Sequence, residues 1–290
     1  MHSGLKSAHP AAGMLYFVSV LAFSMQFFHP VLLGLSFCGA LLYSLRLRGR
    51  ATGRLFGRVL LPTLLFVTLI NTAFDHYGIT TLFTLPGGNR ITLETLVYGF
   101  VTGAMVVTVF LWFTCYNEII TTDKFLFLFG RILPTGALLM SMTLRFIPLF
   151  YRRLQDVHRA QRGIGAVQRG RLRSAMRTLS ILITWSLENA VEISDSMKSR
   201  GYGLRGRTSY SRYVWTARDM ALSLLLAAID AVVIAAIAAG RTRAIYDPYI
   251  AMPRVTGLSV ALFVCYALLC LLPAGADFVE ELQWNRLRSK

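Results

Sequence analysis

The side chains with the clearest chemistry in this sequence are arginines at helix ends. In Glu192-Ile193-Ser194-Asp195-Ser196-Met197-Lys198-Ser199-Arg200-Gly201-Tyr202-Gly203 an amphipathic segment closes on a cation and a glycine. Glycine just past the last periodic residue is the ordinary C-terminal stop of a helix, and a basic residue in the last turn complements the helix dipole. A second end of similar build runs Arg159-Ala160-Gln161-Arg162-Gly163-Ile164-Gly165. Stopping the helix explains one such end. Two of them in one segment present guanidinium forks suited to carboxylates on a docking surface. The chemistry on offer is recognition of a partner.

Bond-making chemistry has a thin basis. The histidines at 2, 9, 29, 76 and 158 have no metal-ligand spacing, and no GxxxxGK[ST] loop is present. Cys38, Cys115, Cys265 and Cys270 lie in apolar runs without a CxxC pair and read as small core residues. Asp75-His76 with Glu94 is the only grouping an enzyme could use near one face. Asp230, alone in an apolar run, is the one carboxylate that a stand-alone secondary permease could use as an ion or proton site. No cofactor is expected.

The elements that position these residues belong to a membrane. Of 290 residues 55% are hydrophobic, with a mean hydropathy of +0.55. Apolar runs near 14–28, 30–47, 59–74, 95–116, 217–239 and 254–273 match the roughly 17–25 residues that cross a bilayer as helix. Phe27-Phe28-His29-Pro30 leads the first run straight into the second, with no small-x-small cleavage site, so the pair reads as a retained hairpin. The fold class expected is an all-α integral membrane protein of about six transmembrane helices plus a cytoplasmic or interfacial module. Residues 1–116 would hold four spans, 117–216 the module and 217–290 two spans.

The formal charge of +16 fits insertion better than nucleic-acid binding, because the basic residues cluster between apolar runs. Arg46, Arg48, Arg50, Arg54 and Arg58, with no acid among them, place segment 46–58 in the cytoplasm, and both termini with it. The segment 125–150 is apolar enough to cross. Crossing would strand Arg152, Arg153, Arg159, Arg162, Arg169, Arg171 and Arg173 outside, so 117–216 is expected to stay at the cytoplasmic face. Within it, Met140, Leu144, Ile147, Tyr151 and Leu154 form one apolar stripe, and Met176, Leu179, Ile183, Leu187 and Ala190 form another. Arg145, Arg152 and Arg159 repeat every seven residues. Glu188, Glu192 and Asp195 form an acidic row. The two rows either brace a helix crossing or stay solvated on their own helices.

Thr121-Thr122-Asp123, Leu144-Arg145-Phe146-Ile147-Pro148-Leu149, Arg159-Ala160-Gln161 and Asp195-Ser196-Met197-Lys198-Ser199-Arg200-Gly201-Tyr202-Gly203 together resemble the transmembrane (T) component of energy-coupling-factor importers. With the hydropathy order the resemblance covers most of the chain and is strongest over 117–207. It implies a non-catalytic scaffold in a prokaryotic plasma membrane. The scaffold would join two ATP-binding subunits, or a homodimer of one, to a substrate-binding membrane subunit. It further implies that Ser199-Arg200-Gly201 docks on one ATPase, with Ser in place of the family's Ala. Gly163-Ile164-Gly165 falls where a second Ala-Arg-Gly is expected. Either Arg162 reaches that groove or the two contacts are chemically unequal. Specificity in the family rests with the other membrane subunit, so vitamins, their precursors and transition-metal ions are all compatible cargo.

Overall fold

A computed structural model describes residues 4–75, 80–84, 90–130, 132–165, 171–204, 213–240, 242 and 257–288. His76, the turn at 86–89, Arg169 and Lys290 lie outside the described residues. The elements in chain order are α1 (Gly4–Ser7), α2 (Pro10–Gln26), α3 (Pro30–Arg48), α4 (Arg50–Leu55), α5 (Leu61–Phe74), β1 (Thr81–Thr84), β2 (Arg90–Thr92) and α6 (Leu93–Ile119). They continue with α7 (Thr122–Gly130), α8 (Pro134–Gly163), α9 (Arg171–Ser199), α10 (Ala217–Ala238) and α11 (Gly257–Arg288). The protein is an all-α membrane protein apart from the antiparallel β1–β2 hairpin, which leads into α6. Among the described residues five helical stretches are long and apolar enough to cross a bilayer: Pro30–Arg48, Arg50–Phe74, Leu93–Ile119, Ala217–Ala238 and Ser259–Phe278. The 17-residue α2 sits at the short end of the roughly 17–25 that crossing needs.

One element is new and one expectation changes. The arginine-rich segment 46–58 is helical, broken only at Gly49 (φ +54) between α3 and α4. It continues through a π-helical turn, Phe56–Leu60, into α5. Pro62 explains the turn. Having no N–H, and with a ring that crowds the carbonyl four residues back, it disfavours regular α-helix there; the wider turn, in which Leu61 N–H reaches the Phe56 carbonyl, relieves the crowding. Cys38 faces outward, whereas Cys115 and Cys270 are buried as expected.

By contact the chain divides into two compact units, Met1–Phe125 with Tyr213–Lys290, and Leu126–Arg212. The first holds the apolar core, built around Tyr16, Phe17, Trp112, Leu226 and Tyr266. In its centre Trp112 Nε1 donates to Ser36 Oγ (3.0 Å). Ser36 Oγ lies 2.9 Å from Ser24 Oγ, which lies 3.2 Å from Tyr266 OH. These bonds tie α2, α3, α6 and α11 together; in membranes such interhelical bonds average about 0.6 kcal/mol each, so close packing carries most of the cohesion. The close approach is visible where α6 meets α5: a Cβ at Gly99 would lie 2.9 Å from the Thr68 carbonyl oxygen, and one at Gly103 would lie 3.0 Å from that of Leu64.

Candidate docking site

Within the Leu126–Arg212 unit, α8 and α9 form an antiparallel pair. Phe150 meets Trp185 edge to face at 5.4 Å, the Arg153 guanidinium lies 5.4 Å over the same indole, and Thr178 Oγ1 donates to Gln161 Oε1 at 3.4 Å. Residues advancing on α8 thus meet residues receding on α9. Buried Val157 and half-buried Leu154, the last residue of the α8 stripe, lie on the same face of α8 as Phe150, while the rest of the α8 stripe and the α9 stripe turn elsewhere. Met140, Ile147 and Tyr151 are 54%, 64% and 63% exposed, and Met176, Leu179 and Leu187 are 64%, 57% and 64% exposed. Stepping about 100° per residue from the Phe150–Trp185 contact places the α8 stripe on a flank of its helix and the α9 stripe on the face turned away from α8. The unit therefore keeps both apolar stripes uncovered, which a lone soluble protein rarely does at this size.

The charged rows pair locally. Arg159 lies 3.8 Å from Asp156 and Lys198 lies 3.9 Å from Asp195, each on its own helix, and among the described residues no ion pair joins the Arg145–Arg152–Arg159 row to Glu188, Glu192 or Asp195. The same helical stepping puts the arginine row about half a turn from Phe150, on the side of α8 away from α9.

The two helix ends are built alike. At the end of α9, Tyr202 N–H bonds the Met197 carbonyl (3.0 Å) and Gly201 N–H bonds that of Lys198 (2.9 Å), with Gly201 at φ +78. This is a Schellman stop, in which the glycine takes the left-handed conformation and spare carbonyls are satisfied. At the end of α8, Gly165 N–H bonds the Arg162 carbonyl (3.2 Å), with Gly165 at φ +68. Aligned on these bonds, Gly163-Ile164-Gly165 superposes in role on Ser199-Arg200-Gly201. Ile164 holds the position of Arg200, the last before the left-handed glycine. Ile164 is 78% exposed, and Arg200 is exposed with no hydrogen-bond or ion-pair partner for its guanidinium among the described residues. Arg162 is likewise exposed, two residues back and so on another side of its helix. One tip offers a cation and the other an alkyl group. The sequence contains this equivalence, but cap position depends on backbone bonds that spacing alone does not reveal.

The remaining candidates have structural work. Glu94 accepts from Thr80 Oγ1 (2.6 Å) and from Thr80 N–H, fixing the strand approach to α6. Ser19 Oγ donates to Asp230 Oδ2, linking α2 and α10. Among the described residues no group of His, Cys, Asp and Glu has the arrangement of a metal site. Sequence reading missed Lys124, which is buried where α7 begins. Its Nζ donates to the Lys6 carbonyl (2.9 Å), and the Lys6 ammonium lies 3.6 Å from Glu118. Burial, helped by the neighbouring Lys6 charge, holds the Lys124 ammonium below the usual lysine range.

Comparison with known proteins adds a family. A family model described as cobalt transport protein (CbiQ) matches residues 6–210. Among curated proteins, the chain is similar to the energy-coupling factor transporter transmembrane protein EcfT of Bacillus subtilis, at 34% identity over 102 residues, covering 33% of this chain and 38% of that protein. It is similar to the EcfT of Lactobacillus helveticus at 37% over 90 residues (29% and 32%) and to that of Bacillus selenitireducens at 36% over 118 residues (37% and 44%). The matched stretch thus spans less than half the length of each of these relatives.

Proposed function

Because the chain belongs to the cobalt transport protein (CbiQ) family, we propose that it is the transmembrane coupling subunit of an ATP-driven micronutrient importer. The observation that carries this reading is the pair of exposed, like-built tips on a helix pair whose apolar stripes are uncovered. Two cytoplasmic ATP-binding subunits hold the tips. Ser199-Arg200-Gly201 enters a groove bearing carboxylates, and Gly163-Ile164-Gly165 enters an apolar one, with Arg162 at its rim. The two grooves are then chemically unequal, which favours two different ATPases over one paired with itself. Closure of the ATPases on ATP moves the tips relative to each other. The helices carry that motion to their apolar stripes, where a substrate-binding membrane subunit sits; packed interfaces answer such a push by discrete repacking. The chain itself catalyses nothing, its termini are cytoplasmic, and the partner subunit chooses the cargo.

Purification of the tagged full chain in mild detergent, followed by identification of every co-purifying chain, tests the assembly. Two ATP-binding proteins and a small apolar membrane protein are expected. Recovery of the chain alone from cells making all its partners would contradict the proposal.

A further inference from the structure

We propose that α8 seats the row Arg145, Arg152 and Arg159 on anionic phospholipid headgroups at a bilayer surface. Residues seven apart drift only about 20° round a helix, so the three guanidinium groups form a line of roughly 21 Å along α8. All three are exposed, and the line points away from α9, so the helix contact does not compete for it. The side chains of Arg145 and Arg152 have no hydrogen-bond or ion-pair partner among the described residues. Arg159 has only the exposed Asp156 at 3.8 Å, a contact worth little in water. Asp156 is also the only acid in α8, against five arginines.

About a quarter-turn to a third of a turn from this line runs the exposed stripe Met140, Leu144, Ile147 and Tyr151. A basic line beside an apolar stripe on one helix is the arrangement of a helix lying in the membrane interface. Tyr151 suits that level, with an apolar ring and a polar tip. An acidic protein surface would satisfy the same guanidinium groups but would leave the stripe beside them in water. A bilayer surface receives both. The arrangement is also compatible with a membrane subunit on the α8 stripe, because the arginine line then meets the headgroups bordering that subunit. The inference does not depend on the ATPase contacts.

The test is native mass spectrometry of the full chain in detergent, titrated with phosphatidylglycerol or phosphatidylcholine. The wild type should hold phosphatidylglycerol in preference. R145Q/R152Q/R159Q should lose that preference by about fivefold per arginine, while R173Q/R177Q, which removes exposed arginines of α9, keeps it. Raising the potassium chloride to about 0.5 M should weaken the wild-type preference by screening, which keeps the idea testable should the triple variant fail to fold. Equal retention of phosphatidylglycerol by wild type and triple variant, or a preference indifferent to salt, would overturn the proposal. So would loss of a co-purifying protein by the triple variant with its lipid complement unchanged, which would assign the row to an acidic protein surface.

Discussion

Gly201 sets the direction of the Arg200 side chain. At φ +78 it occupies a region that costs other residues about 1–2 kcal/mol, and a Cβ there would lie 3.1 Å from Leu204 Cδ1. The sequence shows the glycine stop plainly. The family resemblance already sets Ile164 opposite Arg200; that the two hold the same cap position follows from which N–H meets which carbonyl. Caps also govern the membrane end of the chain. His29 opens α3 by accepting the Val31 N–H at Nδ1 (3.3 Å), which only the neutral imidazole can do, and burial lowers its affinity for a proton. The unfolded chain, with His near 6.5, binds that proton more readily. The resulting stability is therefore full above about pH 6.5 and is lost as pH falls toward and through the lower folded value. His9, which caps α2 in the same way (3.2 Å) and is also lowered by burial, against an opposing pull from Asp219, contributes with the same sign. The midpoint of thermal unfolding in detergent should hold steady between about pH 8 and 7 and drop toward pH 5. His29→Asn, which keeps an acceptor for Val31, should flatten part of that drop. Superimposable profiles for the two proteins would count against this role for His29.

Among elements, the apolar spans were legible because their composition leaves little choice. The α4–α5 join was not. Charge reports the side of the membrane on which a segment lies, and arginine is a good helix former whose stem packs along apolar surface; segment 46–58 could be basic and helical at once. The helix pair taught a related lesson. Its stripes were readable at positions such as Ile147 and Leu179, yet they mark what is left uncovered, while Phe150, Trp185, Gln161 and Thr178 make the contact. Glycine spacing predicts a measurable effect where α5 meets α6. Gly103→Val should lower stability by about 1–3 kcal/mol by overpacking against the Leu64 carbonyl. It should also expose α5 to protease while leaving the Trp112–Ser36 contact in place. A variant as stable and protease-resistant as the wild type would show that the two helices are not held at this distance.

At the scale of the whole molecule the sequence marks the membrane regions and the segment that carries the two proposed docking tips, and the contacts gather the N- and C-terminal stretches into one unit. What composition does not convey is the inequality of the two tips, a cation on one and an alkyl group on the other, on which the account of unequal partners rests. The most direct measurement is ATP-driven uptake together with co-purification for Arg200→Glu, which reverses the charge at an exposed position whose guanidinium has no hydrogen-bond or ion-pair partner among the described residues. The variant should reach the membrane in wild-type amount and retain the small apolar subunit, while losing an ATPase or the coupling of ATP to uptake. Both ATPases retained with full uptake would contradict the account.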